Sequence, residues 1–183
     1  MTYKQVSINK AYRLINTGPL VLVSTTSKKG IPNIAPIAWC TPAELSPTRV
    51  LLVMAKEHKT TKNIKKTKKF IVSIPHKNQV KLVLKTGEYS GNEIDKFKKL
   101  KMKTINGKKV KTKIPDGVIG YIECKVWKIV QEEDANIVIG DTIYAAANPK
   151  AFKNDRLLSE KKEGKTLHHL GSKKFITTGG KVL

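Results

Sequence analysis

The chain has 183 residues, of which 39% are hydrophobic and 27% charged, and its formal net charge is +22. A chain of that size buries a full core without disulfide or metal staples, and that composition is globular, not disordered. No window reaches the roughly 18 consecutive apolar residues of a membrane-spanning helix, and MTYKQVSINK lacks the apolar stretch of a signal peptide. The expectation is one cytoplasmic domain over residues 1–183 with no membrane partner.

In chain order, INKAYRLIN (8–16) places Ile8, Tyr12 and Ile15 on one helical face, with Ser7 as its cap and Gly18 as its terminator. LVLVSTT (20–26) reads as a buried strand and SKKG as a hairpin turn. Residues 31–39 read as a returning strand that Pro32 and Pro36 make an edge, bulged or interrupted one. TPAELSPT (41–48) reads as a loop and RVLLVMA (49–55) as a strand. KEHKTTKNIKKTKK predicts a short helix with Thr60 or Thr61 near its start, and FIVSIP (70–75) a strand of alternating faces. KNQVKLVLKTG (77–87) predicts a helix stopped by Gly87, and SGNEIDKFKKL (90–100) another capped by Ser90.

Further on, Asn106-Gly107 marks a hairpin. VIGYIECKVWKIVQ (118–131) and NIVIGDTIYAAAN (136–148) are two long strands joined by the acidic turn EEDA. A loop-rich tail follows, ending in LHHLGSKKFITTGGKVL. Hairpin-linked strands at this spacing, punctuated by short helices, predict a mainly-β antiparallel barrel. Neither GxGxxG after the first strand nor GxxxxGK[ST] is present, so dinucleotide-fold and P-loop readings have no support.

A charge of +22 first suggests nucleic acid. The positive residues are nearly all Lys, with only Arg13, Arg49 and Arg156, and base reading favours the Arg fork. The lysines are spread along the chain, and no run of aromatics forms a stacking platform, so a solvated basic surface is preferred. Such a field also favours a phosphate-bearing small ligand.

Two segments concentrate chemistry. KEHKTTKN brings Lys59, Thr60, Thr61 and Asn63 to a helix start, where free N–H groups and positive potential attract phosphate. Taken alone, ordinary capping and a solvated basic face explain it better. NIAPIAW (33–39) offers the amide of Asn33, backbone freed from ladder bonding by Pro36, and the broad face of Trp39. Trp39 plugs the end of a core or walls a flat ligand, and the segment alone leaves that choice open. The histidines His58, His76, His168 and His169 show no metal-ligand spacing, and Cys40 and Cys124 are far apart and outside any CxxC, so no metal is expected. No nucleophile elbow or readable acid–histidine pairing exists, so no catalytic residue is assigned and a cofactor is expected to carry any chemistry.

Taken in order, the motifs resemble the flavin reductase-like family of FMN-binding split barrels, most closely its flavoredoxin-type branch. They are a strand ending STT, N-x-A-P-x-x-W (33–39), K-T-T-K-N-I (59–64) and F-I-V-S-I-P. The series continues with Ser90-Gly91 followed by Asp95-Lys96-Phe97, I-E-C (122–124) and L-H-H-L-G (167–171). The match runs over about residues 8–175. The resemblance implies a Greek-key split barrel, a homodimer, and FMN near the subunit interface. It implies phosphate near Thr60, helped by Lys59, Thr61 and Asn63, and the flavin ring against Asn33, Ala35, Pro36, Ala38 and Trp39. Lys96 and His168 are implied beside the ring.

The function so implied is an FMN-binding oxidoreductase passing electrons from NAD(P)H or a protein donor to a flavin, ferric iron or protein acceptor. Many members carry G-D-H in the turn where this chain has Glu133-Asp134-Ala135. The missing histidine, which would help place a nicotinamide, keeps open an FMN-binding electron carrier with a redox protein partner and no NAD(P)H oxidation. A basic nucleic-acid-binding barrel is the remaining alternative.

Overall fold

The computed structural model describes residues 4–16 and 18–179. Parts of the one-domain and tail expectations fall on residues 1–3 and 180–183 and lie outside the described residues. In chain order the elements are β1 (Val21–Thr26), β2 (Pro32–Ile37), β3 (Cys40–Leu45), β4 (Thr48–Ala55), α1 (Lys59–Thr67) and β5 (Lys69–Ile74). Next come α2 (Val80–Glu88), α3 (Lys96–Lys99), β6 (Thr104–Asn106), β7 (Lys113–Pro115), β8 (Gly120–Gln131) and β9 (Ala135–Ala147). The small hairpins β10 (Phe152–Lys153) with β11 (Arg156–Leu157), and β12 (Leu167–Gly171) with β13 (Lys174–Thr177), complete the described chain.

Seven strands form one antiparallel sheet in the order β2-β1-β5-β8-β9-β4-β3. Its two edge strands are consecutive in sequence and only Ala38 and Trp39 separate them. So short a link forces the sheet to curl until the end of one edge strand reaches the start of the other. At the seam the Val53 N–H donates to the Trp39 carbonyl at 3.0 Å, and β2 touches β4. This is the mainly-β barrel that the hairpin spacing predicted, with β2 at an edge where its prolines are tolerated.

β1 is buried on both faces, as its unbroken apolar run requires. Val21 and Val23 point into the barrel with Leu52, Met54, Phe70, Val72, Cys124 and Val138. Leu20 and Leu22 point outward and are covered by Val83 of α2, Phe97 of α3 and Leu167 of β12. Each fully buried side chain such as Leu22 or Phe70 is worth about 1.5–3 kcal/mol of transfer free energy. A third cluster, Ile71, Val110 and Ile114, seats the β6–β7 hairpin on β5. That hairpin turns through six residues, not two. The fully buried carboxylate of Glu123 accepts from the N–H groups of Lys108, Lys109 and Val110 at 2.6, 2.7 and 2.5 Å, so β8 organises the turn. A side chain on Gly107 would strike the Val110 carbonyl at 2.3 Å.

Several expected elements differ. Residues Ile8–Leu14 form a 3-10 helix, not an α-helix, and Ile8 and Ile15 stay 87% and 84% exposed because nothing among the described residues covers them. Ser7 does not cap it but bonds to Asn9 at 2.7 Å, and the helix stops before Gly18. TPAELSPT is largely strand: β3 pairs with β4 through a tight turn at the cis Ser46-Pro47 bond. Gly87 lies inside α2, where its missing side chain lets the helix settle on Pro36; a Cβ there would be 3.1 Å from the ring. The 90–100 helix shrinks to Lys96–Lys99, and Asp95, not Ser90, caps it by accepting from the Lys98 N–H.

Candidate functional site

Three concavities follow one another along Asn33–Trp39. The first, of about 340 Å³, has Asn33, Ala35 and Pro36 on one wall, Lys59 and Thr60 on another, and Thr86 to Asn92 with Lys96 on the third. The second, of about 560 Å³, lies beyond Pro36 and Gly87, under Ala38, Leu84 and Phe175. The third, of about 390 Å³, lies beyond Ala38 and holds Trp39 with Tyr12, Ile15, Leu51 and Val53.

The first cleft sits at the N-terminus of α1, where no side chain caps the opening turn and its N–H groups lack intrahelical partners. Asn33 Nδ2 donates to Thr60 Oγ1 at 2.9 Å, which ties β2 to that turn. Asn33 Oδ1 is buried and has no acceptor bond, a costly state that a donor on a ligand would relieve. Gly91 packs directly over it; a Cβ on Gly91 would fall 1.9 Å from Oδ1. Lys96 is buried, with Nζ donating to the Thr86 carbonyl at 2.6 Å. Burial lowers its pKa from 10.5 to about 8. The cleft therefore gathers dehydrated Lys96, half-buried Lys59, a helix N-terminus and an unsatisfied amide oxygen, with Glu57 and Glu88 as the acids on its wall. That donor set suits an anionic ligand carrying a heterocycle with N–H groups, and FMN has both a phosphate and such a ring.

The expected residues divide by location. Asn33, Ala35, Pro36, Lys59, Thr60 and Lys96 come together around the cleft. Thr61 and Asn63 face the barrel instead: Thr61 Oγ1 donates to the Ala55 carbonyl at 2.7 Å and Asn63 Nδ2 to Thr25 Oγ1 at 3.1 Å. They hold α1 in place and do not line the cleft. Ala38 borders the second and third concavities, and Trp39 only the third. Its Nε1–H donates to Asn16 Oδ1 at 3.0 Å, and its ring meets Tyr12 edge-on at 5.7 Å. His168 hydrogen-bonds to Thr166 at 3.0 Å; its neighbour His169, on the other face of β12, lines the second cavity. Gly91, Thr86 and Tyr89 are cleft residues without an assigned role in the sequence reading. The Ser90-Gly91 pair was the signal for them, and only Lys96 of that motif was carried into the site. Among the described residues no cluster of His, Cys, Asp and Glu could hold a metal.

A family model described as a flavin reductase-like domain matches residues 13–167. The chain belongs to the flavin reductase-like family. Among relatives, the uncharacterized protein YddH of Escherichia coli K12 is 28% identical over 180 residues, spanning 97% of this chain and 95% of that protein. Among solved structures, flavoredoxin of Desulfovibrio vulgaris (Miyazaki F) superposes with a TM-score of 0.85 at 22% identity, covering 100% of this chain and 96% of that one. An FMN-binding domain of a flavin reductase-like enzyme from Shewanella baltica OS155 has a TM-score of 0.80 at 25% identity, covering 97% and 95%. The flavin reductase-like barrel thus accounts for the fold.

Proposed function

We propose that this member of the family is a cytoplasmic FMN-binding oxidoreductase of the flavin reductase and flavoredoxin type, built as one domain. The observation that carries the reading is the first cleft: an uncapped helix N-terminus, Lys59, Lys96 and the orphaned Asn33 oxygen converge on one space. The FMN-binding neighbour from Shewanella baltica and the flavoredoxin neighbour support it. When bound, FMN supplies reversible one- and two-electron redox chemistry. Thr60, Lys59 and the α1 N–H groups suit its phosphate. Asn33 suits a ring N–H, and Lys96 offers positive charge in a dehydrated setting where negative charge gathers on a reduced ring.

A homodimer completes the reading. Ile15 and Trp39, which line the third concavity, are 84% and 48% exposed, and Ile8, Leu14 and Leu45 elsewhere in the chain are 87%, 71% and 85% exposed. Exposed apolar groups beside an open concavity suit an interface. A second copy there would cover Trp39 and bring it near a flavin at the subunit boundary.

Two electron sources remain as readings. NAD(P)H is one. An electron carrier served by a redox protein is the other, favoured by Ala135, which stands beside Ala55 just before α1 where family members have a histidine. Titration with FMN should quench flavin fluorescence at a stoichiometry of one per chain; a protein that takes up no FMN refutes both readings. Anaerobic NADH or NADPH should then bleach the bound flavin. Persistent colour with both donors removes the reductase and leaves the carrier.

A further inference from the structure

We propose that the second cavity is a binding site for a flat, apolar organic anion. Its floor and walls are apolar: Leu20, Val83 and Leu84 with the rings of His169 and Phe175. Those rings lie 5.3 Å apart at 44°, and the His169 ring is held by a 2.8 Å hydrogen bond to the Ser172 carbonyl. The volume of about 560 Å³ falls within the roughly 300–1,000 Å³ usual for small-molecule sites.

The rim is basic. Lys81, Lys85 and Lys173 border the cavity, and none is in an ion pair among the described residues. Among the described residues Glu88 is the only acid lining it. An apolar floor under unneutralised ammonium groups selects a molecule with an apolar ring body and a negative edge. A neutral ring forgoes the charges, and a compact inorganic anion wastes the floor. The aromatic walls select flatness. Long lysine stems reach a carboxylate at the mouth while their heads stay in water.

The cavity is placed to matter. It meets the first cleft at Pro36, Gly87 and Glu88, which line both. The Pro36 ring is packed against Gly87, and that contact divides the two spaces. The binding claim stands on the cavity alone. Its meaning as the seat of the molecule beside the flavin rests on the reading above.

Calorimetric titration of the FMN-loaded protein with naphthoate and with methyl naphthoate tests it. Naphthoate should bind, and the ester should bind at least roughly fivefold more weakly, the worth of one partly exposed ion pair. Lys85→Glu and Lys173→Glu should each weaken naphthoate by a similar factor and leave FMN affinity unchanged, because neither residue lines the first cleft. Leu84→Arg, which fills the floor, should abolish naphthoate binding in a protein that still melts cooperatively. Equal affinity for acid and ester overturns the proposal, as does indifference to both lysine reversals. Displacement of naphthoate by FMN also overturns it, since the cavity would then belong to the flavin. If FMN fails to bind and naphthoate still does, the flavin reading falls and this site stands.

Discussion

Asn33 and Thr60 are joined side chain to side chain at 2.9 Å, and through them the edge strand β2 is fixed to the first turn of α1. The bond uses the amide nitrogen of Asn33 and leaves Oδ1 buried and unsatisfied beneath Gly91. Asn33→Ala removes that acceptor and should weaken FMN by about tenfold, the effect of one lost hydrogen bond to a ligand. Gly91→Ala should do at least as much, because the new methyl group pushes the 89–92 loop off Asn33. Fluorescence titration reads both, and unchanged affinity in both variants would move the flavin elsewhere.

Lys96 gives the site a pH signature. Its folded-state pKa is lowered to about 8 from 10.5, so folding favours loss of its proton. The unfolded chain holds more protons between those values, and stability should therefore rise with pH across that window. Lys96→Met should remove the rise, as seen in denaturant midpoints collected from pH 7 upward. FMN affinity should move the opposite way, falling above about pH 8 as the ammonium group is lost. Lys96→Arg keeps its charge and should flatten that decline.

Glu123 is a structural acid. Its carboxylate serves three backbone N–H groups in the loop after Gly107. Glu123→Ala strands all three, and the cost should be about 3 kcal/mol, with part of the deficit met by water entering the loop. Glu123→Gln keeps one acceptor and should fall between. Thermal melts measure both, and an alanine variant as stable as the parent would show that the loop organises itself.

The apolar side around Trp39 should make the protein dimeric. Ile15→Glu places a charge on that face, where Ile15 is 84% exposed, so the single chain should tolerate it. Sedimentation should then show a monomer with an unchanged melt. A dimer that survives the substitution assembles through another face.

The two thiols should be poorly reactive. Cys40 donates to the Pro19 carbonyl at 3.2 Å, and burial raises its pKa to about 11. Cys124 is fully buried, and burial first, with Asp141 and Glu123 adding to it, raises it to about 12. Cys124, fully buried, should react with a disulfide reagent only after denaturant is added, while half-buried Cys40 should react slowly in the folded protein.

Much of this was readable before the coordinates. Prolines at 32 and 36 announced an edge strand, because a residue without an N–H has no place inside a ladder. Unbroken apolar runs announced the double burial of β1. The sequence order of Asn33, Lys59, Thr60 and Lys96 pointed to one site, and the fold gathers them around one cleft. What was not readable depends on partners distant in sequence. Thr61 and Asn63 share the motif of Thr60 but bond to Ala55 and Thr25, partners that no local pattern announces. His168 and His169 are indistinguishable as letters, and only the alternation of β12 decides which ring borders the second cavity. The loop at 41–48 became β3 because β4 offered a free edge, a fact about the sheet and not about TPAELSPT.

The two-residue seam between β2 and β3 bears on how the protein behaves in concentrated solution. Open sheet edges invite other chains to add strands, and PNIAPI and CTPAEL carry little charge to discourage them. With Ala38 and Trp39 as a clasp, one edge is drawn against the barrel it belongs to. Flexible residues inserted at that junction would let the clasp spring open. Such a variant should still contain native hairpins, yet it should accumulate as insoluble aggregates.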